Sequence, residues 1–150
     1  MRPAFLAGAL ALFSWVGVTW AAVAGPDAAP TAAVKAVLDR QVKAWNRGDL
    51  EGFMTTYWNS PDLVFQSGAD RTRGWQATLD RYRRKYQGEG KEMGRLRFDD
   101  LDVQVLGPDA AFARGRWHLV TKDGSEPNGL FTLLLRRIGG QWKIVHDHTS

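Results

Sequence analysis

The sequence predicts an α+β domain in which a curled antiparallel sheet wraps around three N-terminal helices and leaves a cone-shaped interior. Three observations carry this. Apolar residues recur at helical spacing through the first half of the chain, and alternate at strand spacing through the second half. Turn sequences, Gly107-Pro108-Asp109, Lys122-Asp123-Gly124 and Gly139-Gly140, separate successive strand-like runs, which reads as a hairpin meander. Helices first and strands afterwards is an α+β order, and only the helices can cover one face of such a sheet. Runs of about twelve residues are long for strands, and long antiparallel strands twist and curl.

The elements follow in order. Met1-Arg2, the uncharged apolar run from Phe5 to Val23 and the small-x-small site Ala22-Val23-Ala24 have the layout of a secretory signal peptide, expected over residues 1–24. An uncleaved membrane anchor is the alternative reading of so long an apolar run. Gly25-Pro26-Asp27-Ala28-Ala29-Pro30 reads as a linker, 25–30, and the domain as 31–150. Thr31 is a plausible N-cap for a helix carrying Val34, Val37, Leu38, Val42 and Trp45, stopped at Gly48. Asp49 caps a shorter helix with Leu50, Phe53, Met54 and Tyr57 on one side. Leu63–Gln66 reads as a short strand, and 68–73 as a loop or brief return strand. The spacing of Trp75, Leu79, Tyr82 and Tyr86 predicts a third helix. Strands are expected over 95–106, 110–121, 129–137 and from Trp142 to the end.

Composition limits the function. The chain has 150 residues and a formal net charge of +4, too mild to demand nucleic acid. The basic run Arg71, Arg73, Arg81, Arg83, Arg84, Lys85 offers a phosphate or nucleic-acid contact, but with Trp75, Leu79, Tyr82 and Tyr86 packing one face of the third helix, the remaining positions read as a solvated face. Arg73 and Arg81 are placed to draw an anionic ligand to the rim of the cone. There is no cysteine, hence no disulfide or thiol chemistry. With the leader, this points to the periplasm or the cell exterior, with no membrane partner after cleavage.

The last strand holds two of the chain's three histidines. Side chains alternate along a strand, so Trp142, Ile144, His146, His148 and Ser150 share a face. The first two are apolar, so that face is expected to look inward and to place two imidazoles in the interior. His146, His148 and Tyr57 are therefore the catalytic candidates, the imidazoles as acid or base and the phenol as an oxyanion donor. The competing reading makes the histidines architectural. Trp45, Tyr57, Phe65, Trp117, His146, His148 and Ser150 are the candidate ligand-binding set, because small-molecule sites are mostly aromatic with few polar groups. On the strand from residue 110, Ala111, Ala113, Gly115, Trp117 and Leu119 share the inward face. Phe112, Arg114, Arg116 and His118 share the outward one. Asp147 is expected to face outward, and Asp62 is the carboxylate best placed to approach the pocket or to cap a turn. No third ligand stands near the histidine pair at metal-binding spacing, so neither metal nor cofactor is expected.

The stretches Ala44-Trp45-Asn46-Arg47-Gly48-Asp49, Tyr57-Trp58 before Pro61-Asp62-Leu63-Val64-Phe65, Arg73-Gly74, and Gly140 to Ser150 together resemble the nuclear transport factor 2-like superfamily. The SnoaL-like branch is the best match. That branch includes small bacterial proteins of undefined function and is similar to the calcium/calmodulin-dependent kinase association domain. The resemblance implies a pocket at the open end of the cone and a homodimer through the outer sheet face. It does not imply one reaction. Ketosteroid-isomerase-like members carry a carboxylate base near the end of the strand after the second helix, where this chain has Gln66-Ser67-Gly68. Three functions remain open: an exported small-molecule-binding domain without turnover, a lyase- or isomerase-type enzyme acting through a pocket histidine on a carbonyl-containing, polyketide- or steroid-like substrate, and a dimeric assembly module.

Overall fold

The structure, a computed structural model, describes residues 28–89 and 91–150. The expected leader and residues 25–27 lie outside the described residues. Among the described residues no helix is long and apolar enough to cross a membrane.

Helix α1, Ala28–Asn46, buries Val34, Val37, Leu38, Gln41, Ala44 and Trp45, one stripe at helical spacing. It begins earlier than Thr31, so residues 28–30 of the expected linker are helical. Pro30 is tolerated there because first-turn N–H groups have no intrahelical acceptor. The helix stops at Gly48, whose φ of +78° suits a residue without a side chain. The Asn46 amide then brackets Leu96, giving Nδ2 to its carbonyl at 3.0 Å and accepting its N–H at 2.7 Å.

Asp49 caps α2, Leu50–Met54, by accepting the Gly52 N–H at 2.7 Å. The chain after α2 is laced to the last strand: Trp58 donates to the Ile144 carbonyl at 2.9 Å, and Ile144 to that of Thr56 at 3.0 Å. Strands β1 (Val64–Ser67) and β2 (Asp70–Arg73) form a small hairpin, so 70–73 is the return strand. Helix α3, Trp75–Tyr86, follows. The long strands are β3 (Arg95–Gly107), β4 (Ala110–Val120), β5 (Asn128–Ile138) and β6 (Gln141–Thr149).

The sheet order is β2-β1-β6-β5-β4-β3. The meander β3–β6 is antiparallel as expected, but β1 joins β6 in parallel, so the whole sheet is mixed. The core lies between its concave face and the helices, and includes Leu38, Met54, Leu63, Leu135 and Ile144 without measurable exposure. The inward face of β4 is the expected one, with Ala111, Ala113, Gly115 and Leu119 buried. Opposite Gly115, β3 carries an extra residue between Asp99 and Asp102, with Asp100 at φ +54°. Such a bulge bends and twists its strand. Gly115 allows the close approach, since a Cβ there would stand 2.9 Å from both the Asp99 carbonyl oxygen and the Phe131 ring.

Candidate functional site

A second bulge decides what faces the interior. Leu135 pairs with Ile144, but Leu134 pairs with His146, leaving Val145 as an extra residue in β6. One extra residue moves every later side chain to the other face. Trp142 and Ile144 point inward as expected. Beyond Val145 the inward positions are Asp147 and Thr149, while His146 is half-buried and His148 exposed on the convex face.

This overturns the unbroken alternation expected for the last strand. Neither His146 nor His148 lines the interior, and Asp147, expected outside, is only 4 % exposed inside.

The interior holds a cavity of about 110 Å³. Its aromatic wall is built from α1, α2 and the segment after it, α3 and β1, with Phe98, Trp117 and Phe131 of β3, β4 and β5 completing it. Trp45 meets Phe53 and Tyr86 edge-on at 5.1 and 4.8 Å, and Phe65 meets Tyr82 at 5.4 Å. Such contacts add about 0.5–1.5 kcal/mol each beyond area burial. They also hold rings in fixed orientations around the open space.

Asp147 enters this wall from β6, beside Phe65 of β1. The Tyr57 hydroxyl donates to its Oδ2 at 2.6 Å, and the Thr149 hydroxyl to its Oδ1 at 2.9 Å. Burial pushes the Asp147 carboxyl up to about 6, against the pull of those two hydrogen bonds and of His148. Burial, then the neighbouring Asp147 charge, push the Tyr57 and Tyr82 phenols well above their ordinary range, so both stay protonated. His146 is held below its ordinary value by burial and by His148.

Gln41 of α1 also lines the cavity, and its Nε2 has no partner among the described residues. Arg81 and Lys85 of α3 stand at its edge.

Of the expected ligand-binding set, Trp45, Tyr57, Phe65, Trp117 and Ser150 line the cavity; His146 and His148 do not. Trp117 donates Nε1 to the Ser150 carbonyl oxygen at 3.2 Å. Asp62 is exposed and pairs with Arg73 at 2.6 Å, away from the cavity. Of the two expected rim cations, Arg81 lines the cavity and Arg73 does not. His118 faces Asp99 at 3.0 Å, and no cluster of three metal-ligating side chains occurs among the described residues. Asp147 and Gln41 escaped the sequence reading. The one signal for Asp147 was Tyr57, a buried phenol in need of an acceptor.

The profile of the SnoaL-like domain matches residues 34–150. The chain belongs to the SnoaL-like family. A nuclear transport factor 2-like protein of unknown function from Shewanella oneidensis MR-1 is 36 % identical to this SnoaL-like chain, with a TM-score of 0.75, over 81 % of this chain and 98 % of that one. A nuclear transport factor 2 (NTF2-like) superfamily protein from Salmonella enterica shares 23 % identity at a TM-score of 0.67, over 82 % and 92 %. A putative calcium/calmodulin-dependent protein kinase II association domain from Xanthomonas campestris shares 19 % at 0.63, over 78 % and 84 %. The last two likenesses speak to the fold alone. No curated protein matches the chain.

Proposed function

We propose that this SnoaL-like domain binds a small organic ligand in its conical cavity, with Asp147 as the polar anchor. The observation that carries the reading is a solvent-poor carboxylate, held by Tyr57 and Thr149, in the wall of an aromatic cavity. Apolar walls with a few converging polar groups are the usual make-up of a ligand site. A fragment screen read by NMR tests it. Binders should shift the Trp45 and Trp117 indole resonances, and Asp147→Asn should weaken those that donate a hydrogen bond. Fragments that shift only surface resonances would refute it.

A second reading, a lyase- or isomerase-type proton transfer, passes from the histidines to Asp147. A carboxyl near 6 in an apolar wall suits a general base at neutral pH, with Tyr57 beside it as a hydrogen-bond donor. Turnover of a bound carbonyl compound that is lost in Asp147→Asn and kept in His148→Gln would support it.

The leader-like residues 1–24 support export to the periplasm or cell exterior, tested by N-terminal sequencing of the exported protein. Homodimerisation through the convex sheet face is supported by Leu130, 55 % exposed beside Arg116. Light scattering of Leu130→Asp tests it, with a shift to monomer expected.

A further inference from the structure

Gln41 sits one turn before Trp45 on α1 and is only 2 % exposed. Its Nε2 lacks an acceptor among the described residues, although it lies in the cavity wall. A buried N–H left unpaired costs about 1–3 kcal/mol, so a ligand that brings an acceptor removes that cost. On the same cavity, Asp147 presents carboxylate oxygens that each accept one hydrogen bond and have capacity for another. The two buried polar side chains of the lining therefore ask for a ligand that brings an acceptor to Gln41 or a donor to Asp147.

The solvent-reaching cations of the lining ask for something else. Arg81 and Lys85 stand four residues apart on α3, so one helix face brings both charges to the cavity. The Arg81 guanidinium lies 5.5 Å over the Phe65 ring, and Lys85 Nζ lies 5.2 Å over Tyr86. Arg81 has one long ion pair, 3.4 Å to exposed Asp70, and Lys85 has none among the described residues. An exposed contact of that kind is worth little and yields readily to a better anion.

Size narrows the choice. The space of about 110 Å³ is somewhat below the ~150 Å³ of an engineered cavity that takes benzene. The space allows no more than one ring inside, with a charged substituent left at the mouth, and excludes a fused polycyclic skeleton.

We infer that the cavity takes a single-ring organic monoanion, a hydroxyl-type group meeting the buried Asp147 or Gln41, its ring among the aromatic side chains, and its anionic group on Arg81 and Lys85. This rests on the ligand-binding reading above and names the class of ligand.

The test is calorimetric titration of the full chain at low salt with 4-hydroxybenzoate, benzoate and 4-hydroxybenzyl alcohol, beside an NMR screen of uncharged and cationic single-ring fragments. The acid should bind about fivefold or more tightly than the alcohol, the value of roughly one screened charge contact. That preference should vanish in Arg81→Gln and Lys85→Gln, each compared with wild type only after its thermal unfolding shows a folded protein. Benzoate, which lacks the head group, should bind about fivefold more weakly than 4-hydroxybenzoate, and Gln41→Leu should narrow that gap. If the alcohol or a cationic fragment binds as well as the acid, and the two cation variants change nothing, the anion class is wrong while the cavity reading stands. If no fragment of any charge reaches the cavity resonances, both fall.

Discussion

The Tyr57 hydroxyl donates a 2.6 Å hydrogen bond to Asp147 Oδ2, joining residues ninety positions apart inside the core. Tyr57 is placed by the segment after α2, which pairs with β6 at Ile144; Asp147 is placed by the bulge at Val145 just beyond. The bond exists only because both local features occur together.

Removing the donor leaves a buried acceptor short of a partner. Tyr57→Phe should lower stability at pH 8 by about 1–3 kcal/mol in urea denaturation. The loss should shrink at pH 4, where the Asp147 carboxyl is protonated and no longer needs a donor to hold its charge.

Asp147 itself makes stability depend on pH. Its folded value, about 6, lies above the ordinary 3.8. The folded state therefore holds this proton more tightly than the unfolded chain does. The resulting stabilisation is complete below pH 4 and is lost as pH rises through 6. The shift corresponds to about 3 kcal/mol. The difference in unfolding free energy between wild type and Asp147→Asn should move in the variant's favour by up to that amount from pH 4 to pH 7. The comparison cancels carboxylates of opposite sign such as Asp123, lowered to about 2 by the Thr121 hydroxyl and the Ser125 N–H.

The two histidines should be dispensable for the interior. His148→Gln is exposed and should change stability by no more than about 0.5 kcal/mol. Neither it nor His146→Gln should alter binding of a cavity ligand, read by calorimetry on folded variants.

Gly115 should not tolerate a side chain. A Cβ at that position meets the Asp99 carbonyl oxygen and the Phe131 ring at 2.9 Å each. Gly115→Ala should cost about 1–3 kcal/mol by forcing the β3 bulge or the ring to move, measured by thermal and chemical denaturation.

Most of the architecture was legible because it is written in local periodicity. The apolar stripe of α1, the Asp49 cap, the Gly48 stop and the inward face of β4 each depend on residues a few positions apart. The parallel docking of β1 on β6 was not legible, since it joins segments eighty residues apart with no turn between them. The cavity lining was legible in its aromatic part, Trp45, Tyr57, Phe65 and Trp117, where size and spacing suffice. Its polar half was not. Strand alternation assigns a face only while the register is unbroken, and nothing in Ile144-Val145-His146-Asp147-His148 distinguishes a regular strand from a bulged one. A single inserted residue exchanged two histidines for one aspartate. Gln41 was missed for a different reason: a lone glutamine within an apolar helical stripe gives no periodic signal of its own.

The most direct measurement is a carbon-13 NMR titration of the Asp147 side-chain carboxyl in the wild type and in Tyr57→Phe. A midpoint near pH 6 is expected in the wild type, moving higher when the phenol is removed. A midpoint near 4, unchanged by Tyr57→Phe, would mean that Asp147 is solvated and makes no buried hydrogen bond with Tyr57.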